Sequence, residues 1–323
     1  MSVSRGMAYP PDGHCYMINL TFPDYKHQQA YQYFSDEVYE SLNYLLSYYR
    51  LPEISSEVPL SWQNCAIHYI AGKYAEDDEH ADAVTYLNQL MRKRTPLPLT
   101  ISPLTSAGHL LAETMILKII RDDKQLGFGY CDDLVLAAAE TEKITQALSV
   151  IHRCAPETGN EIDRFIHQIY LTQETADGSR FMRSGTNFYM WGMMFAYVHP
   201  SHSVAYYIDI LAHECGHTAL NILNAGDPLV LNPADEVFAA PLRDDDRPMI
   251  GIFHALFVLS RICYVFSEII RNSDGIPEPE YYDRLSSNLE KLRNTADIVR
   301  QHAILTETGK NIFTAICQRW NLS

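Results

Sequence analysis

The sequence has no paired cysteines. Its seven cysteines, Cys15, Cys65, Cys131, Cys154, Cys215, Cys263 and Cys317, lie far apart with no CxxC spacing and an odd total, and a chain of 323 residues is too long to depend on disulfide staples. Reduced, mostly buried thiols are expected. Positive charge is also scarce, with Lys+Arg 25 against Asp+Glu 40 and a formal charge of −15, a field that repels phosphate backbones and anionic headgroups. The expectation is no nucleic acid and no membrane among its partners. Residues 1–20 (MSVSRGMAYPPDGHCYMINL) lack the charged start, apolar run and cleavage site of a signal peptide. No uninterrupted apolar stretch approaches the roughly 18 to 20 residues that cross a bilayer. A cytoplasmic protein is expected, and no internal repeat or low-complexity tract is present.

Apolar residues make up 47% of the chain and charged residues 20%, a balance that builds a core and excludes disorder over most of the length. Helical spacing of apolar residues recurs over residues 24–50, 62–73, 76–93, 132–154, 161–172, 203–224, 248–271 and 279–320, the last with a break near Thr308 and Gly309. The run over 107–122 reads as a helix with a strand at its end. Between 180 and 198 the texture turns aromatic and Met-rich around a Ser-Gly-Thr-Asn turn, which predicts one hairpin or two short strands. The fold class expected is mainly α with a small β element. The expected division is a helical region over 1–175, for support or recognition, and a region over 176–323, integrated with it, that holds the chemistry-bearing residues.

Chemistry concentrates in YYIDILAHECGHTALNILN, residues 206–224, which holds His213, Glu214 and His217 as H-E-x-x-H. Residues four apart share a helix face, so both imidazoles can turn toward one divalent ion, with a further protein ligand to come from elsewhere. Burying two imidazoles and a carboxylate in an apolar helix without a partner is costly, which favours a metal over a chance match. The second stretch is PLRDDDRPMIGIFHALFVLSRICYVF, residues 241–266. Pro248 suits the first helical position, with Asp246 or Arg247 at the cap, and Asp244 to Asp246 favour the positive end of the helix dipole. His254 then lies about two turns on, in an otherwise apolar run. A lone histidine there is ordinarily a satisfied core residue, but the two-histidine helix lacks a third ligand, and His254 is its candidate. Arg247 on the same face can grip an anionic co-substrate through paired hydrogen bonds.

These residues resemble the HExxH-type, 2-oxoglutarate-dependent peptide β-hydroxylases that modify ribosomally made precursor peptides. The likeness lies in HECGH at 213–217 and in PLRDDDRPMIGIFHALFV, which is similar to the family's Pro-x-Arg, Arg-Pro and Gly-x-x-His segment, and it covers residues 180–266. Leu242 stands where the family usually has Trp. The resemblance implies an Fe(II) site of His213, His217 and His254 between two buried helices, 2-oxoglutarate as co-substrate and O2 as oxidant. Hydroxylation then falls on the β-carbon of an Asp, Asn or His in a precursor peptide. Arg247, with Arg243 as the alternative, is the candidate for the distal carboxylate of 2-oxoglutarate. Glu214 is either a ligand in place of His254 or an acceptor that fixes a ligand tautomer.

Two other readings stand beside this one. In a zinc metallopeptidase Glu214 is the general base, and Glu236 or Asp235 is a third ligand of carboxylate type, although no HExxHxxGxxH extension is present. In a non-catalytic peptide-binding protein the helical surface does the work. The stripe Phe188, Tyr189, Met190, Trp191, Met193, Met194 and Phe195 reads first as core and second as a groove wall. His199 and His202 read first as solvated loop residues and second as groups beside the site.

Overall fold

The computed structural model describes residues 21–24, 26–94, 97–107, 110–122, 129–175, 183–240 and 246–322. Within these residues the helices are α1 (His27–Tyr48), α2 (Trp62–Glu76), α3 (His80–Leu87), α4 (Leu110–Asp122), α5 (Leu134–Cys154), α6 (Pro156–Phe165), α7 (Val204–Gly226), α8 (Met249–Asn272), α9 (Pro279–His302) and α10 (Glu307–Trp320). Side chains close the open amides at several starts. Ser61 accepts from the Asn64 amide at 3.2 Å, Asp133 from the amides of Val135 and Leu136 at 3.0 Å, and Ser203 from that of Tyr206 at 3.1 Å. Each cap satisfies donors that the helix itself leaves unpaired.

The β element is a small mixed sheet of β1 (Thr100–Pro103), β2 (Gly129–Tyr130), β3 (Gln168–Gln173), β4 (Ser184–Thr186) and β5 (Met193–Tyr197). Its order is β1-β3-β5-β4, with β1 and β5 parallel to β3, β4 antiparallel to β5, and β2 antiparallel to the end of β3. The expected strand pair in the Met-rich segment is therefore β4 with β5, in register Thr186 opposite Met194. A separate ribbon pairs β6 (Val237–Phe238) with β7 (Arg247–Pro248).

Four local expectations are corrected. The helix expected over 161–172 ends at Phe165, and the chain becomes β3, because Ile169, Tyr170 and Leu171 are buried between the flanking strands. The helix expected over 76–93 is confined to His80–Leu87, after a turn in which Asp78 takes a positive φ of 61°. The break in the C-terminal tail falls between His302 and Glu307, where Thr306 caps α10 by accepting from the Gly309 amide at 3.1 Å. Pro248 is itself the residue before the helix, with ψ 148°, and Arg247 is extended in β7 rather than on a helical face.

The core is one cluster of buried apolar side chains that runs from Ala30 in α1 to Ile316 in α10. Residues before and after position 175 both contribute to it. Helix α7 lies at its centre and packs on α5, α6 and α8, and α9 packs along α8 and also meets α7. Gly216 faces α8, where a Cβ would meet Val258 Cγ2 at 3.4 Å and Arg261 Cδ at 3.5 Å, ordinary contact distances. The Arg261 guanidinium is buried and paired with Glu161 of α6, tying α6 to α8 behind the metal-motif helix. By length and composition α8 qualifies to cross a membrane, with a mean hydropathy of 1.9 over its most apolar window, yet 72% of that window is buried inside the protein.

The five buried cysteines among the described residues, Cys65, Cys131, Cys154, Cys215 and Cys263, and the half-buried Cys317 are all free thiols. Cys15 lies outside the described residues.

Candidate metal centre

His213 and His217 lie one turn apart on α7, and their Nε2 atoms are 3.1 Å apart with ring centroids at 4.8 Å. Two imidazoles bound to one ion through bonds of about 2.0–2.1 Å, at angles from octahedral to tetrahedral, place their nitrogens roughly 2.9–3.4 Å apart. The spacing fits that donor pair, and it is also within hydrogen-bonding range. His254 comes from α8, with its ring centroid 5.8 Å from that of His217. Burial pushes its pKa down to about 4, so the imidazole is neutral at pH 7, the form in which it ligates a metal.

The three histidines face one cavity of about 430 Å³ together with Arg247, and Ile250, Val258 and Leu259 supply apolar wall. Arg247 reaches it from β7, held against α8 by the ribbon pairing of Phe238 with Arg247. Among the described residues, no three His, Cys, Asp or Glu side chains stand close enough together to hold a metal ion as placed. The fit therefore rests on the His213–His217 pair, with His254 as the next imidazole in the same cavity.

Glu214 reaches the sheet while staying near His213. It is buried, and its Oε2 accepts from the Thr186 hydroxyl on β4 at 3.0 Å, while Oε1 lies 3.8 Å from His213 Nε2. Thr186 was not legible as a site residue, because a single threonine after a Ser-Gly pair carries no spacing signal; only the placement of β4 beside α7 reveals it. Cys215 occupies the opposite face, with Sγ 3.7 Å from Glu161 Oε2 and burial holding the thiol well above its usual range. It is a packing residue.

The remaining candidates fall elsewhere. Asp235 and Glu236 are exposed, Glu236 Oε2 accepts from the Asn232 amide group at 3.0 Å, and neither lines the histidine cavity. His199 is exposed, and His202 stacks on Tyr206 at 3.7 Å before the first turn of α7, more than two turns in sequence from His213. Burial pushes the His202 pKa down to about 4. In the aromatic stripe, Met190, Trp191, Met193, Met194 and Phe195 are core, whereas Phe188 and Tyr189 line a separate cleft. Arg243, Leu242 and the acidic residues Asp244 and Asp245 lie outside the described residues.

Compared with known proteins, the chain matches no family model and no curated protein sequence.

Proposed function

We propose that this protein is an Fe(II)- and 2-oxoglutarate-dependent oxygenase that hydroxylates the β-carbon of an Asp, Asn or His in a ribosomally made precursor peptide. The observation that carries the reading is the pair of imidazole nitrogens 3.1 Å apart, in a cavity that also receives His254 and Arg247. His213, His217 and His254 would hold the metal, leaving positions for co-substrate and oxygen. Bound there, iron with 2-oxoglutarate and O2 supplies the oxidising power that places one oxygen atom in a C–H bond, releasing succinate and carbon dioxide. Arg247 would pair with the distal carboxylate of 2-oxoglutarate, a planar match that lysine cannot reproduce. The apolar walls from α8 keep water from the reacting carbon. Thr186 holds the Glu214 carboxylate 3.8 Å from His213 Nε2, where it would add negative charge beside the metal.

A zinc metallopeptidase is the second reading, and Glu214 Oε1 at 3.8 Å from His213 Nε2 favours it, since a base beside the metal would take a proton from bound water. The test is anaerobic reconstitution with iron(II), followed by oxygen with and without 2-oxoglutarate and a candidate precursor peptide. The oxygenase gives a peptide heavier by one oxygen atom only when 2-oxoglutarate is present. Cleavage of the peptide with zinc alone transfers the site to the peptidase.

A further inference from the structure

A second cleft, of about 370 Å³, opens between α1, α2 and the 3-10 turn Phe188–Met190. Its walls are aromatic: Tyr33, Phe34, Tyr69, Phe188 and Tyr189. Tyr33, Phe188 and Tyr189 remain 47%, 38% and 44% exposed, so aromatic surface is open to an incoming group. Tyr69 and Tyr189 stack at 3.9 Å, and Phe34 meets Phe188 edge-on at 5.8 Å, so the rings form a packed wall.

Two carboxylates, Glu37 and Glu76, share the cleft with one cation, Lys73. The Lys73 ammonium stands 3.6 Å from Glu76 and 5.9 Å from the Tyr69 ring centroid, and both partners of that ion pair are more than half exposed, so water and an incoming cation can replace it. His68, 3.1 Å from Ser41 Oγ, adds no positive charge at pH 7 because burial pushes its pKa down to about 4. Aromatic faces with carboxylates at the edge attract a guanidinium or ammonium group, and the formal charge of −15 draws such a group in.

A shallow depression neighbours both the cleft and the histidine cavity. Ala225, at the C-terminal end of α7, lines both the cleft and this depression, and Ile250 lines both the depression and the histidine cavity. We propose that the aromatic cleft is a subsite for a basic side chain, arginine above all, of the peptide whose reacting residue enters the histidine cavity. The second half of that statement rests on the proposed peptide hydroxylase activity; the first does not.

The test is titration calorimetry of the metal-free full chain with a short peptide alternating arginine and glycine, against the same peptide carrying citrulline for arginine. The arginine peptide is expected to bind about tenfold tighter or more. Glu37→Gln with Glu76→Gln should remove most of that preference, as should Tyr189→Leu, while Glu40→Gln, exposed on α1 and outside the cleft, should leave it intact. Circular dichroism confirms that each variant is folded. Equal affinity for the two peptides overturns the proposal. So does a preference that survives the double substitution, or one that Glu40→Gln weakens equally, which would mark a general charge effect. The binding needs no iron and no turnover, so its failure leaves the hydroxylation assay to stand or fall alone.

Discussion

Glu214 separates the competing chemistries at the level of a single side chain. As a general base it is indispensable, whereas as a carboxylate held by Thr186 it only adds negative charge beside the histidine pair. Glu214→Gln keeps the shape and an acceptor oxygen for the Thr186 hydroxyl, so hydroxylation is expected to persist within about tenfold; loss of all product in that variant would return the site to acid–base chemistry. Thr186→Val leaves the buried carboxylate without its donor and is expected to cost about 1–3 kcal/mol of stability, read from urea unfolding. Arg247→Ala removes the cation proposed to pair with 2-oxoglutarate and is expected to raise the KM for 2-oxoglutarate at least about tenfold, with the peptide KM little changed. An unchanged requirement for 2-oxoglutarate would pass that role to Arg243.

At the scale of the elements, the site is the meeting of α7, α8 and the edge strand β4. Gly216 faces Val258 and Arg261 of α8 with a Cβ's ordinary contact room, and Gly216→Val, whose methyl groups reach further, is expected to destabilise by about 1–3 kcal/mol through overpacking against Val258 and to draw His254 away from His217. A stable variant with undiminished metal affinity would show that the helix approach is not what brings the histidines together. The HExxH helix was legible because the spacing of His213 and His217 is local and helical. His254 shares their cavity, but one histidine on an apolar face has no pattern of its own, and only the pair on α7 draws attention to it. The strand β3 was missed because HQIYLTQ follows a helix without a glycine or proline to mark the change, and its burial between β1 and β5 is a long-range fact. Arg247 was placed on a helical face by counting back from His254, but the chain before Met249 is extended and pairs with β6.

Across the whole molecule, burial holds the imidazoles of His68, His167 and His202 at about 4, below the value of 6.5 for an unfolded chain. Below pH 6.5 the unfolded chain takes up protons that the native state refuses, so their contribution is complete above about 6.5 and is lost as the pH falls toward about 4. The melting temperature is therefore expected to hold steady above neutrality and to drop between those limits; a flat profile would mean that these histidines are solvated. The single core joining residues before and after position 175 also bears on the centre, because α5 and α6 brace α7 from behind. The most direct measurement of the central claim is anaerobic equilibrium dialysis of iron(II) against the intact chain and His254→Ala. The account predicts one iron per chain at the native site and at least a tenfold weaker affinity in the variant. Equal binding by the two proteins, or none by either, would contradict it.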